Sequence, residues 1–262
     1  MSQVTSNDGT KIGYDQQGSG PPVILVGGAF QYRAFDPRTQ ELATLLAEQL
    51  TVINYDRRGR GESTDTSPYA VEREIEDIDA LITEAGGSAG VFGMSSGAAL
   101  ALAAAASGSA ITKLALYEPP YIVDDSRTPP PAGLARRLAD LAASGDPGGA
   151  VELFLTTAAD VPAEFVGPMR DSPIWPGFES VAHTLPYDMA VMGGYSVPAG
   201  HATAVTVPTL VADGGASPAW MRNAAARVAE TLPDAKHYTL DGQSHDVAPA
   251  VLAPLLTTFF TA

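Results

Sequence analysis

The chain has 262 residues, 45% of them hydrophobic, a formal net charge of −15 and no cysteine. That length and apolar content are enough to bury one large core. The charge repels nucleic-acid phosphates and anionic membrane surfaces, and the missing cysteines exclude disulfides, thiol nucleophiles and thiolate metal sites.

Residues 1–9 have no basic start and no apolar run, and the longest apolar run, residues 98–106, is too short to span a bilayer. A cytoplasmic location with neither membrane nor nucleic-acid partner is the expectation. Residues 4–6 and 11–16 flank Asn7-Asp8-Gly9-Thr10, whose Asp-Gly favours the positive φ angles of a tight hairpin. After a break at residues 18–22, Val23-Ile24-Leu25-Val26 reads as a strand covered on both faces. A helix from about Pro37 places Leu42, Leu45 and Leu46 on one stripe, and residues 51–55 form the next strand. The helix that follows carries Val71, Ile75, Ile78 and Ile82 on its buried face, with Glu72, Glu74, Glu76, Asp77 and Asp79 elsewhere. Val91-Phe92, a small-residue helix and residues 114–117 continue the alternation of an α/β, mostly parallel, doubly wound sheet. In such sheets reactive groups gather at the C-terminal ends of the strands.

From Pro119 to about Val205 the alternation stops. Pro129-Pro130-Pro131 opens a helical stretch with Leu134, Leu138 and Leu141, and Val151, Phe154 and Leu155 mark a second helix beyond Gly145-Asp146-Pro147. The division expected is a core domain of residues 1–121 and 205–262 with a helical cap of residues 122–204. A dense set of large side chains, from Phe165 and Met169 to Met192 and Tyr195, supplies the cap's packing and an apolar face toward a site. Residues 209–212 resume the sheet, residues 235–240 supply the last strand, and a final helix from about Pro249 covers that edge.

Chemistry concentrates at Gly93-Met94-Ser95-Ser96-Gly97, between an apolar strand and a long helix. Glycines two residues either side of a serine let strand and helix approach closely and push the hydroxyl out of a sharp turn. Together with Val23 to Gly28, the Asp56-Arg57-Arg58-Gly59-Arg60-Gly61 loop and Gly242-Gln243-Ser244-His245, this chain resembles the α/β-hydrolase family over most of its length. The resemblance implies Ser95 as nucleophile, His245 as its base, and the Ser96 and Ala29 N–H groups as oxyanion donors. It also implies a mainly structural role for the arginine loop. Two positions depart from the family: Gly27, usually histidine, and Ser217, where the triad acid usually sits.

A serine cannot hold an imidazolium by charge, so another carboxylate is needed. Glu118 ends a strand that Pro119-Pro120 stops, because proline lacks the N–H a ladder requires. That places it on the same rim as Ser95 and His245; Asp213, also at a strand end, is the alternative acid. Among the remaining histidines, His237 lies inside the last strand and His183 in the cap region, while His201 is a candidate substrate contact. Gly-x-Gly-x-x-Gly is absent, so no nicotinamide cofactor is expected, nor any other cofactor or metal. The expected function is cofactor-independent hydrolysis of an apolar ester, lactone or related acyl compound. A receptor with little turnover, or a lyase or cyclase on the same fold, is the alternative.

Overall fold

The structure, a computed structural model, describes residues 2–262. Its eight strands form one sheet in the order β1-β2-β4-β3-β5-β6-β7-β8. β1 (Ser2–Thr5) and β2 (Lys11–Gln17) make the expected antiparallel hairpin, with Gly9 at φ 89° in the turn. β2 joins β4 (Thr51–Tyr55) antiparallel, and every later pairing is parallel: β3 (Pro22–Val26), β5 (Ala89–Met94), β6 (Ile111–Tyr117), β7 (Thr209–Gly214) and β8 (Ala235–Leu240).

Alternate strand residues feed two apolar layers. Leu25, Phe92, Ala115 and Leu210 pack with α1 (Pro37–Leu46) and α11 (Pro249–Thr261). Ile24, Val91, Leu114 and Val211 face the other side, where α2 (Val71–Glu84), α3 (Ser96–Ala106) and α10 (Ala219–Thr231) lie. This explains the unbroken apolar run of β3, whose residues Val23 to Val26 are buried on both faces.

Six α-helices separate β6 from β7, α4 (Leu134–Ala143), α5 (Pro147–Thr157), α6 (Ala163–Arg170), α7 (Trp175–Ser180), α8 (Leu185–Met192) and α9 (Ala199–Ala204), with a short 3-10 helix at Ala182–Thr184. Of these, α8 and α9 pack directly on α3. The first begins later than Pro129, because the triple proline stays non-helical and Gly133, at φ 84°, forms the left-handed entrance to Leu134. The polar face of α2 also differs from expectation. Glu74 and Asp77 are buried, each held by an arginine of the loop after β4. No helix among the described residues is long and apolar enough to cross a membrane.

Candidate active site

Ser95 stands between β5 and α3 at φ 56° and ψ −128°, a conformation that costs a residue with a side chain about 1–3 kcal/mol. The flanking glycines make the turn possible. A Cβ on Gly93 would lie 2.5 Å from the Gly97 carbonyl oxygen, and one on Gly97 would lie 2.3 Å from the Val26 oxygen. The Ser95 N–H donates to the Tyr117 carbonyl at 2.9 Å, which ties the turn to the end of β6.

The loop after β8 carries His245. Tyr117 Oη donates to the Ser244 carbonyl at 2.6 Å, and the Ala216 N–H donates to the Gln243 carbonyl at 2.8 Å. His245 Nδ1 lies 2.7 Å from Glu118 Oε2. The other carboxylate oxygen, Glu118 Oε1, accepts the Gly214 N–H at 2.8 Å, and Glu118 is fully buried. A carboxylate only accepts, so the ring donates from Nδ1 and leaves Nε2 as its proton acceptor. Gly214 leaves no room for a side chain, since a Cβ there would sit 2.4 Å from the Gln243 carbonyl oxygen.

Asp213 is not brought to His245. Its Oδ2 lies 2.5 Å from His237 Nε2 on β8. His201 is exposed and does not line the cavity that holds Ser95, so the structure gives the expected substrate contact no support.

Ser95, Ser96, Ala29 and His245 line one cavity of about 790 Å³. Its wall draws on both apolar layers: Phe30, Phe154, Phe178, Met192 and Tyr195 from one, Leu25, Leu42, Phe92, Val247 and Leu252 from the other. Ser95, just past the C-terminal end of β5, lines the same cavity. Tyr195 has its phenol pushed up to about 12 by burial, so it is a neutral donor at physiological pH. At the rim Arg38 and Asp246 form an exposed ion pair at 2.8 Å.

In the loop after β3 the Gly28 N–H donates to Gln31 Oε1 at 2.5 Å, and the Gln31 N–H donates back to the Gly28 carbonyl at 3.3 Å. Among the described residues no hydrogen bond engages the N–H of Ala29 or of Ser96. Both groups remain available to an anion at Ser95. Beneath this loop lies a buried ionic cluster. Arg57 grips Glu74 through Nε and Nη2 at 2.7 and 2.6 Å, and donates from Nη1 to Asp188 Oδ1 at 2.7 Å. Arg60 donates from Nη2 to Asp188 Oδ2 at 2.7 Å, and Ser96 Oγ donates to Asp188 Oδ1 at 2.7 Å. Burial opposes the charge on Asp188, but Arg60 and Arg57 hold its carboxyl below the usual carboxylate range. Glu74 is held low in the same way by Arg57, against its own burial.

Gln31 and Asp188 carry no signal in the sequence, and Arg60 appears there only as part of the loop. The arginine loop was the available signal; its partner Asp188 lies in a segment whose local pattern gives no hint of it.

Residues 23–251 match the profile of the Alpha/beta hydrolase family. An α/β hydrolase from Sphaerobacter thermophilus is 56% identical, with 99% of this chain and all of that one covered at a TM-score of 0.93. An uncharacterized hydrolase of Bacillus subtilis, YraK, is 37% identical over 110 residues, a match covering 38% of this chain and 39% of that protein. The enol-lactonase of Burkholderia xenovorans shares the fold over the full length of both chains, at 18% identity and a TM-score of 0.73. This chain belongs to the alpha/beta hydrolase family.

Proposed function

We propose that the protein is a serine hydrolase that cleaves a neutral ester, lactone or related acyl compound bearing apolar groups on both sides of its carbonyl. The observation that carries this reading is Glu118 Oε2 at 2.7 Å from His245 Nδ1, beside a serine held in a strained turn on the same cavity. Ser95 Oγ attacks the carbonyl carbon and its proton passes to His245 Nε2. The oxyanion is held by the N–H groups of Ala29 and Ser96, each worth roughly 3–4 kcal/mol by analogy with single-donor deletions. The imidazolium then protonates the leaving oxygen, the C–O bond breaks, and an acyl-Ser95 remains. A water, deprotonated by His245, releases the acid and restores the serine.

The apolar lining, drawn from both layers, supports the substrate class. Apolar side chains on both walls suit apolar acyl and leaving groups, and about 790 Å³ suits a compound of moderate size. Besides His245, the ionisable acidic and basic side chains lining the cavity are Asp36, Arg38, Asp160, Asp188 and Asp246, with Arg38 already paired to Asp246. An anionic substrate would meet more carboxylates than free cations. Ser217 in place of the family's usual acid would suit a receptor with little turnover, whereas Glu118 beside His245 supports hydrolysis.

A series of p-nitrophenyl esters tests the proposal. Neutral butyrate and hexanoate esters are expected to be hydrolysed with kcat/KM at least roughly tenfold above the matching hemisuccinate, from loss of apolar contact and added charge repulsion. Preference for the anionic ester, or no turnover of any member, would contradict it.

A further inference from the structure

Peptide planarity connects the buried ionic cluster to the oxyanion site. The Gly28–Ala29 bond is trans, so the Gly28 carbonyl and the Ala29 N–H point in opposite directions across one rigid unit. Arg60 Nη1 donates to that carbonyl at 2.6 Å. The Ala29 N–H is therefore directed away from Arg60, which does not line the cavity, while Ala29 does. The same unit abuts the nucleophile, since a Cβ on Gly28 would approach Ser95 Cβ to 2.9 Å.

Arg60 is in turn held by Asp188 Oδ2, and Asp188 Oδ1 accepts the hydroxyl of Ser96, whose backbone N–H is the second donor. One carboxylate thus reaches both donors, one through Arg60 and one through Ser96. It belongs to α8, in the segment between β6 and β7, and is buried there. We infer that Asp188 is a positioning residue that sets both oxyanion donors at once, so that the oxyanion hole is complete only while α8 is docked on α3. The inference rests on the hydrolase reading above. It makes the inserted helices part of the catalytic geometry as well as a cover over the cavity.

The arrangement separates transition-state binding from ground-state binding. Asp188 borders the cavity, but its carboxylate oxygens are taken up by Arg57, Arg60 and Ser96, so its loss misplaces the donors without removing an apolar contact to substrate. The test uses the full chain with p-nitrophenyl butyrate and two inhibitors of equal size. One is an alkyl trifluoromethyl ketone, which adds Ser95 Oγ to form an anionic hemiketal; the other is the matching alcohol, which forms no oxyanion.

Asp188→Asn is expected to lower kcat by roughly 10²-fold, the scale of a lost oxyanion donor, with KM changed less than about threefold. Ketone affinity should fall in parallel with kcat/KM and alcohol affinity should hold. Ser96→Ala keeps the backbone donor and removes one hydroxyl, and it is expected to give the same pattern at roughly tenfold. It carries the test if Asp188→Asn does not fold. Unchanged kcat in a folded variant, or equal weakening of both inhibitors, would overturn the inference. An inert wild-type protein would instead overturn the hydrolase reading, and the inference with it.

Discussion

Asp213 Oδ2 lies 2.5 Å from His237 Nε2, so the carboxylate at the end of β7 is committed to the neighbouring strand and not to His245. What β7 offers to the site is backbone: the Gly214 N–H that fixes Glu118 Oε1. The carboxylate beside His245 is instead Glu118, which directly follows β6, the adjacent strand, and under the proposed mechanism the order serine, acid, histidine along the chain is retained.

Exchanging the two carboxylates for amides separates their roles. Glu118→Gln presents an amide to His245 Nδ1 and favours the wrong tautomer, with an expected fall in kcat of up to roughly 10⁴-fold. Asp213→Asn is expected to keep kcat within about threefold, and to lose some stability through the His237 contact. Steady-state kinetics of the two purified variants decide between them. Loss of activity in Asp213→Asn with Glu118→Gln spared would contradict the assignment.

The buried cluster predicts how stability depends on pH. Asp188 and Glu74 have folded-state pKa values below their ordinary 3.8 and 4.5. A depressed carboxyl contributes stability that is present above the unfolded-state value and lost as pH falls through the folded one. Asp77 is shifted the other way, chiefly by burial, and is common to wild type and variant. Asp188→Asn is expected to cost about 3–5 kcal/mol at pH 7, the scale for breaking a buried pair. The Tm difference between the two proteins should stay constant between about pH 5 and 7 and shrink below about pH 4. Thermal unfolding followed by circular dichroism measures it, and a difference unchanged down to pH 3 would count against the charge-based account.

Local rules make the turn at Ser95 legible. The glycines of Gly93-Met94-Ser95-Ser96-Gly97 are demanded by contacts of 2.3 to 2.6 Å that any Cβ would make with neighbouring backbone. Glu118 was readable because Pro119-Pro120 ends a strand, and strand ends in a parallel sheet share one rim. Asp188 was not readable, since its contact with Ser96 spans 92 residues and Leu-Pro-Tyr-Asp-Met resembles any helix start. The burial of Glu74 and Asp77 is illegible for the same reason: a helical period shows which face is apolar but not whether an arginine from a distant loop covers the other. His201 lies just before the chain returns to the core, and α9 leaves it exposed.

The most direct test of the central claim is intact-protein mass after brief exposure to a fluorophosphonate, followed by peptide mapping. Ser95 alone combines the strained turn, the shared cavity with His245 and two unengaged N–H groups. The account predicts one adduct per chain, on the peptide containing Ser95, absent in Ser95→Ala and slowed by orders of magnitude in His245→Ala. Labelling that persists undiminished in Ser95→Ala, or a wild-type protein that takes up no adduct, would contradict it.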